Sequence, residues 1–237
     1  MEKKTSFING IKAGIPIALG YFAVSFTFGM MAISGGLSIG DAVLISLTNL
    51  TSAGQFAGLG IILANGSYVE MCLTQLVINL RYSLMSFSLS QKLTRKEPQW
   101  YKYLAAFGVT DEIFAVTASQ KGNPSAFFMY GAMAVSIPGW TLGTLFGALL
   151  GNVLPEFIVS ALSLAIYGMF IAIIIPPAKT NINVLYVVIA SMILSSCFAY
   201  LPLLNKVSSG FVIIICTVVV SSIAAKLAPI KEEETNE

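Results

Sequence analysis

Eight apolar stretches follow one another along this chain with only short polar joints between them, at 13–33, 39–64, 68–89, 104–119, 126–150, 157–175, 184–201 and 207–227. A bilayer core about 30 Å thick is spanned by roughly 20 apolar residues in a helix. Only structures that satisfy their own backbone hydrogen bonds survive there. Composition agrees: 56% of residues are hydrophobic and 10% charged, against about 25% charged in soluble domains. The pattern predicts an all-α integral membrane protein, a multi-span helical bundle. Residues 1–12 are expected to be a cytoplasmic N-terminus, 13–228 a transmembrane domain and 229–237 a disordered charged tail. A cleaved signal peptide could start like this chain, but the run 13–33 is longer than a usual h-region and more spans follow. It is read as a retained first span.

Two stretches are not clean spans. In 39–64 the centre reads Asn49-Leu50-Thr51-Ser52-Ala53-Gly54-Gln55-Phe56, small and polar where hydrocarbon would lie. Backbone released from a helix at that depth must be buried in protein or line a wet cavity. A broken or re-entrant helix is expected. The stretch 104–119 is weakly apolar and interrupted by Asp111-Glu112, which predicts a half-span. Counting Lys and Arg in short loops places the Lys92–Lys102 loop in the cytoplasm only if 39–64 fails to cross. The charge bias therefore predicts about six full crossings plus two partial ones.

The stretch 68–89 carries the most polar residues. On a helix Glu70, Thr74, Arg81 and Ser88 share one face, while Gln75 and Asn79 lie on another. An Arg at mid-span costs roughly 2.5–3.5 kcal/mol on the insertion scale. Arg81 should therefore face a carboxylate, a substrate anion or water; the other reading has it snorkel to the headgroups. Asp111 and Glu112 are its candidate partners, unless they lie solvated at the surface. The 52–56 break can serve as a site, since half-helix ends offer N–H and C=O groups to a zwitterion, or be a packing kink. Gly143, Gly147 and Gly151 form a stripe for close helix approach, within the chain or between subunits. Trp100, Tyr101 and Tyr103 beside Lys102 read as an interfacial belt. Ile15-Pro16 and Ile137-Pro138 hint at an internal repeat.

Several chemistries are absent. The chain has no histidine, so histidine zinc sites, Ser-His-Asp triads and histidine proton relays are excluded. No P-loop, G-x-S-x-G or H-E-x-x-H motif occurs. Cys72, Cys197 and Cys216 lack metal spacing and read as small buried hydrophobes. Scattered basic residues and a net charge of +2 give no nucleic-acid footprint. No enzyme activity and no cofactor are expected.

The early Gly14-x-Pro16-x3-Gly20 run with Gly29, then Ser52-Ala53-Gly54-Gln55-Phe56, Asn79-Leu80-Arg81-Tyr82 and Thr110-Asp111-Glu112, resemble the azaleucine-resistance (AzlC) family of branched-chain amino acid permeases. The resemblance covers nearly the whole chain. It implies a multi-pass protein of the inner (plasma) membrane that transports leucine, isoleucine or valine in the outward direction, with a small AzlD-type membrane partner. Tyr82 stands where many members carry histidine. On this reading the amino acid meets Ser52, Gly54, Gln55, Phe56, Glu70, Asn79, Arg81, Asp111 and Glu112. Its carboxylate is expected at Arg81 or the N–H groups near Gly54-Gln55, its ammonium at Glu70, Asp111 or Glu112. The competing reading is a non-transporting scaffold or regulatory subunit that docks through the glycine stripe.

Overall fold

The structure is a computed structural model that describes residues 2–94, 97–151, 153–155, 157, 164, 167–168, 171, 174–202 and 204–228. Nine helices are bounded among them: α1 (Glu2–Ser34), α2 (Ile39–Thr48), α3 (Ser52–Leu63), α4 (Tyr68–Lys92), α5 (Gln99–Ala106), α6 (Asp111–Ala118), α7 (Ala126–Leu150), α8 (Ile182–Tyr200) and α9 (Ser209–Leu227). No strand occurs among the described residues. The protein is an all-α membrane protein. Four helices, α1, α7, α8 and α9, are long and apolar enough to cross a bilayer. Arg95, Lys96, most of the expected span 157–175 and the expected tail 229–237 lie outside the described residues.

The chain forms two units: Met1–Leu59 with Ile78–Tyr167, and Gly60–Val77 with Gly168–Glu237. The first is organised by α1 and α7. The residues that precede the expected first span are helical from Glu2 and continuous with it. A methyl group added at Gly10 would strike the backbone of Phe128, at Gly131 that of Phe7, at Gly143 that of Phe22 and at Gly147 that of Phe26; at Gly151 it would press on Met30. Residue numbers rise together on both helices, so α1 and α7 run parallel with their backbones nearly touching. The glycine stripe is thus consumed inside the chain. One methyl added on this seam would push the helices apart and weaken the dispersion attraction along its length.

Parallel neighbours constrain everything between them, because the intervening chain must cross an odd number of times. Both interrupted stretches are hairpins that enter and leave on the same side. α2, about 15 Å long, starts at a capping box made by Ser38 and Asp41. It descends from Ala42, which packs with Phe28 and Ala32, to Ser46, bonded to Thr144. After the non-helical residues 49–51, α3 climbs back: Gln55 bonds Trp140, Phe56 meets the Phe28 ring, and Leu59 rejoins the Ala42 cluster. In a straight continuation Ala42 and Leu59 would be about 25 Å apart.

α5 and α6 do the same from the opposite end. Tyr101 of α5 stacks on Phe127 and Tyr130 near the start of α7. Thr110 reaches Tyr21, midway along α1, and Ile113 returns to pack with Ala105 and Met129. The Ala118 carbonyl at the end of α6 accepts from Lys92. α4 is left as the single crossing between α1 and α7, which satisfies the parity. The stretches 39–64 and 104–119, expected to cross only in part, fall in these hairpins, the second of which begins at Gln99, within the expected polar loop. Lys3 over the Tyr101 ring, Lys92 on Ala118 and Lys102 on the Ser90 carbonyl gather at the end of the unit where α1 and α7 begin.

In the second unit α8 packs against α9, and the first turns of α4 pack against the start of α9. Large apolar side chains such as Met192, Ile193, Val218 and Ile223 are exposed, as helices meant for lipid or a protein partner require. The cysteines depart from expectation: only Cys216 is buried, Cys197 is partly so, and Cys72 is exposed. Cys72 lies on the face of α4 opposite the buried Glu70 and Thr74, and an apolar stretch does not itself say which face is covered.

Candidate functional site

Each hairpin turns where a threonine begins its second arm. Thr51 Oγ1 accepts from the Gly54 N–H at 3.0 Å, and Thr110 Oγ1 from the Ile113 N–H at 3.3 Å. Both are N-caps that answer one of the donors a helix leaves unpaired. Helix geometry leaves the N–H groups of Ser52 and Ala53 on α3, and of Asp111 and Glu112 on α6, without intrahelical acceptors. Both N-termini are the positive ends of their helix dipoles, and both turn near mid-height of α1 and α7.

The α2–α3 tip is neutral and closed. Trp140 Nε1–H donates to Gln55 Oε1 at 3.1 Å, and Gln55 Nε2 donates to Ser46 Oγ. Ser46 lies 2.6 Å from the Thr144 hydroxyl, which donates to the Ser25 carbonyl at 3.3 Å. Gln55 is 1% exposed. Its amide, expected to serve a solute, is spent on tying the hairpin to α7. Phe56 and Leu59 are packed with Phe28. Ser52, partly buried, opens α3, and Gly54 is buried in its first turn. The interruption itself lies at 49–51, the first three residues of the 49–56 stretch from which it was expected, and 52–56 already belong to α3.

The α5–α6 tip is charged and partly open. Arg81 Nη1 lies 2.9 Å from Asp111 Oδ2, with the two side chains 40% and 26% exposed. Arg81 Nη2 also donates to the Tyr82 hydroxyl at 3.1 Å, and the Tyr82 hydroxyl reaches Thr51. Tyr82 thus touches the charged pair and the cap of the other hairpin. Tyr21 donates to Glu112 Oε2 at 2.5 Å and lies 2.6 Å from the Thr110 hydroxyl. Its ring stands edge-on to Trp140, centroids 5.3 Å apart. Arg81 therefore takes the carboxylate partner rather than the headgroups, as charge compensation at depth demands.

Of the expected residues, Arg81, Asp111 and Glu112 come together around the α6 N-terminus, and Ser52 and Gly54 belong to the α3 N-terminus that Tyr82 links to them. Asn79 is half-buried on α4. Glu70 belongs to the second unit, where Ser208 donates to it. Sequence reasoning passed over Tyr21, Thr51, Trp140 and Ser46. The signals were present: aromatics with polar handles inside spans need partners, and threonines directly before helix starts are cap residues.

A model of the family described as AzlC protein matches residues 16–154, from α1 through the end of α7. The chain belongs to the AzlC family. The AzlC match takes in both hairpins, Glu70 and the Arg81–Asp111 pair. The chain is 33% identical to an uncharacterized membrane protein of Archaeoglobus fulgidus over 181 residues, 76% of this chain and 79% of the relative. It is 30% identical to inner membrane protein YgaZ of Escherichia coli K12 over 151 residues, 62% of each chain. An uncharacterized membrane protein of Helicobacter pylori J99 is 27% identical over 184 residues, 75% of this chain and 79% of the relative. No solved structure matches this AzlC chain.

Proposed function

We propose that this AzlC chain is the permease subunit of a secondary transporter that moves branched-chain amino acids out of the cell across the plasma membrane. The observation that carries the reading is the pairing of two capped half-helix N-termini with a partly exposed Arg81–Asp111 pair. Non-helical backbone and charge are tolerated at membrane depth only in protein or beside water. A zwitterion uses both signs at once. Its carboxylate is drawn to Arg81 and the N–H groups that open α3 and α6. Its ammonium exchanges with Arg81 for Asp111 or takes Glu112. The clustering of Lys3, Lys92 and Lys102 at one end of the unit supports a cytoplasmic location for that end under the positive-inside rule. A small AzlD-type membrane protein is the proposed partner, and exposed apolar faces such as Met192 and Ile193 are consistent with one.

The scaffold reading leaned on the glycine stripe, which α1 covers. The decisive measurement is accumulation of labelled valine, leucine and isoleucine in inside-out vesicles, with and without the co-expressed partner. Accumulation above vesicles lacking the chain is expected, and its loss in Arg81→Ala. Equal counts in all vesicles would end the transport reading.

A further inference from the structure

Glu70 poses a separate problem. It is 5% exposed in the second unit, and the groups around it are hydroxyls and glycines. Ser208, the N-cap residue of α9, donates to Oε1. The Thr74 hydroxyl, one turn on, is fully buried and makes no hydrogen bond among the described residues. A methyl group added at Gly210 would lie 2.6 Å from Glu70 Oε1 and 2.7 Å from Thr74 Oγ1, and one added at Gly66 would lie 3.0 Å from Oε2. Gly210 and Gly66 thus leave room beside two oxygens that converge on one point.

No cation answers the carboxylate among the described residues. Arg81 is paired with Asp111. The 60–67 stretch and α8 carry no charged side chain, and α9 carries only Lys226, in its last turn. Lys206, just before α9, is exposed and forms no ion pair with Glu70. A bare carboxylate buried this way costs several kcal/mol unless a positive charge balances it. One negative charge is balanced by one positive charge, and hard oxygen donors alone favour a proton or a hard metal ion over a transition metal.

We propose that Glu70, Thr74 and Ser208 form a site for one monovalent cation, a proton or sodium, distinct from the amino acid site. Its use as the coupling ion rests on the transport reading above; the site itself does not. The test is covalent labelling of the full chain in membranes by dicyclohexylcarbodiimide, which attacks protonated carboxyls in apolar surroundings, with the modified residue mapped by mass spectrometry. Glu70 labels, and Glu70→Gln removes that label.

If the ion is a proton, labelling falls as pH rises, by about tenfold per unit beyond the midpoint, equally in sodium and choline chloride. If it is sodium, sodium protects several-fold and choline does not. Thr74→Val keeps volume and carboxylate but shifts the midpoint or weakens the protection. Absence of label at Glu70, label insensitive to both pH and sodium, or a Thr74→Val protein that labels like the parent would each overturn the site. A chain that labels as described yet moves no amino acid keeps the site and loses the transport reading.

Discussion

The two hairpins of the first unit have the same plan and opposite chemistry. Each inserts two short helices and turns at a threonine cap, one from either end of the α1–α7 pair. The α2–α3 tip spends its buried Gln55 amide and Ser46 hydroxyl on α7, through the directed chain from Trp140 to Gln55, Ser46, Thr144 and the Ser25 carbonyl. The α5–α6 tip carries two carboxylates on adjacent residues, with one paired to a partly exposed arginine and the other to a tyrosine. A saturated buried network rigidifies what it joins. A charged pair that is only partly covered can exchange partners at lower cost. On the proposed function, the side chains of the first hairpin hold the fold and those of the second meet the solute, with the backbone N–H groups that open α3 and α6 beside it. Substitutions in α2–α3 should therefore appear mainly in stability, and those in α5–α6 mainly in transport.

The largest effect is expected at Arg81. A hydrogen bond to a charged group contributes about 1.5–3 kcal/mol, so Arg81→Ala should weaken amino acid affinity by about 10- to 100-fold, read as a rise in the half-saturating concentration in vesicle assays. Since the pair is partly exposed, the stability loss should be smaller, about 1 kcal/mol. An Arg81→Ala protein with parental transport would erase the contrast from the charged side.

Next comes Gln55→Leu. It removes two side-chain bonds from the closed tip, each worth about 0.6 kcal/mol on average and up to about 1.7 within membranes. Reversible unfolding in mixed micelles should show a loss of about 1–3 kcal/mol, with the substrate concentration dependence of the surviving protein little changed. A shift in that dependence without a stability loss would break the assignment from the neutral side.

Tyr21→Phe keeps the ring that packs on Trp140 and removes only the hydroxyl that serves Glu112 and Thr110 at the α5–α6 tip. It should cost about 0.5–1.5 kcal/mol and couple with Glu112→Gln in a double-mutant cycle; simple additivity of the two would show that the bond carries nothing. Smallest are the caps. Thr51→Ala and Thr110→Ala should each lower stability by about 1 kcal/mol, measured by the same unfolding. Equal transport defects in both would argue that the two turns are equivalent after all.

Much of this was legible in local sequence. Membrane residence follows from apolar runs whose length matches the bilayer, whatever packs against them. The interruption near 49–56 and the half-length of 104–119 were visible because Ser, Thr, Gly, Asn and adjacent carboxylates cannot continue a lipid-facing helix. That Arg81 needs compensation followed from the cost of its charge alone, and Asp111 was one of the two partners it allowed. Three things were decided only by the tertiary structure. The stripe of Gly143, Gly147 and Gly151 could have faced any helix; the fold put α1 there, parallel, which both interrupted stretches satisfy by returning together to the sides they entered. Gln55 was legible as polar at depth, but whether its amide faces a solute or Trp140 depends on a residue far along the chain. Glu70 shares a helical face with Arg81, yet both it and its partner Ser208 belong to the second unit. Hydropathy and capping act over a few residues and can be read from them. Which charge meets which, and which polar group is already satisfied, depends on contacts between segments distant in sequence, and a single turn of helix does not encode those.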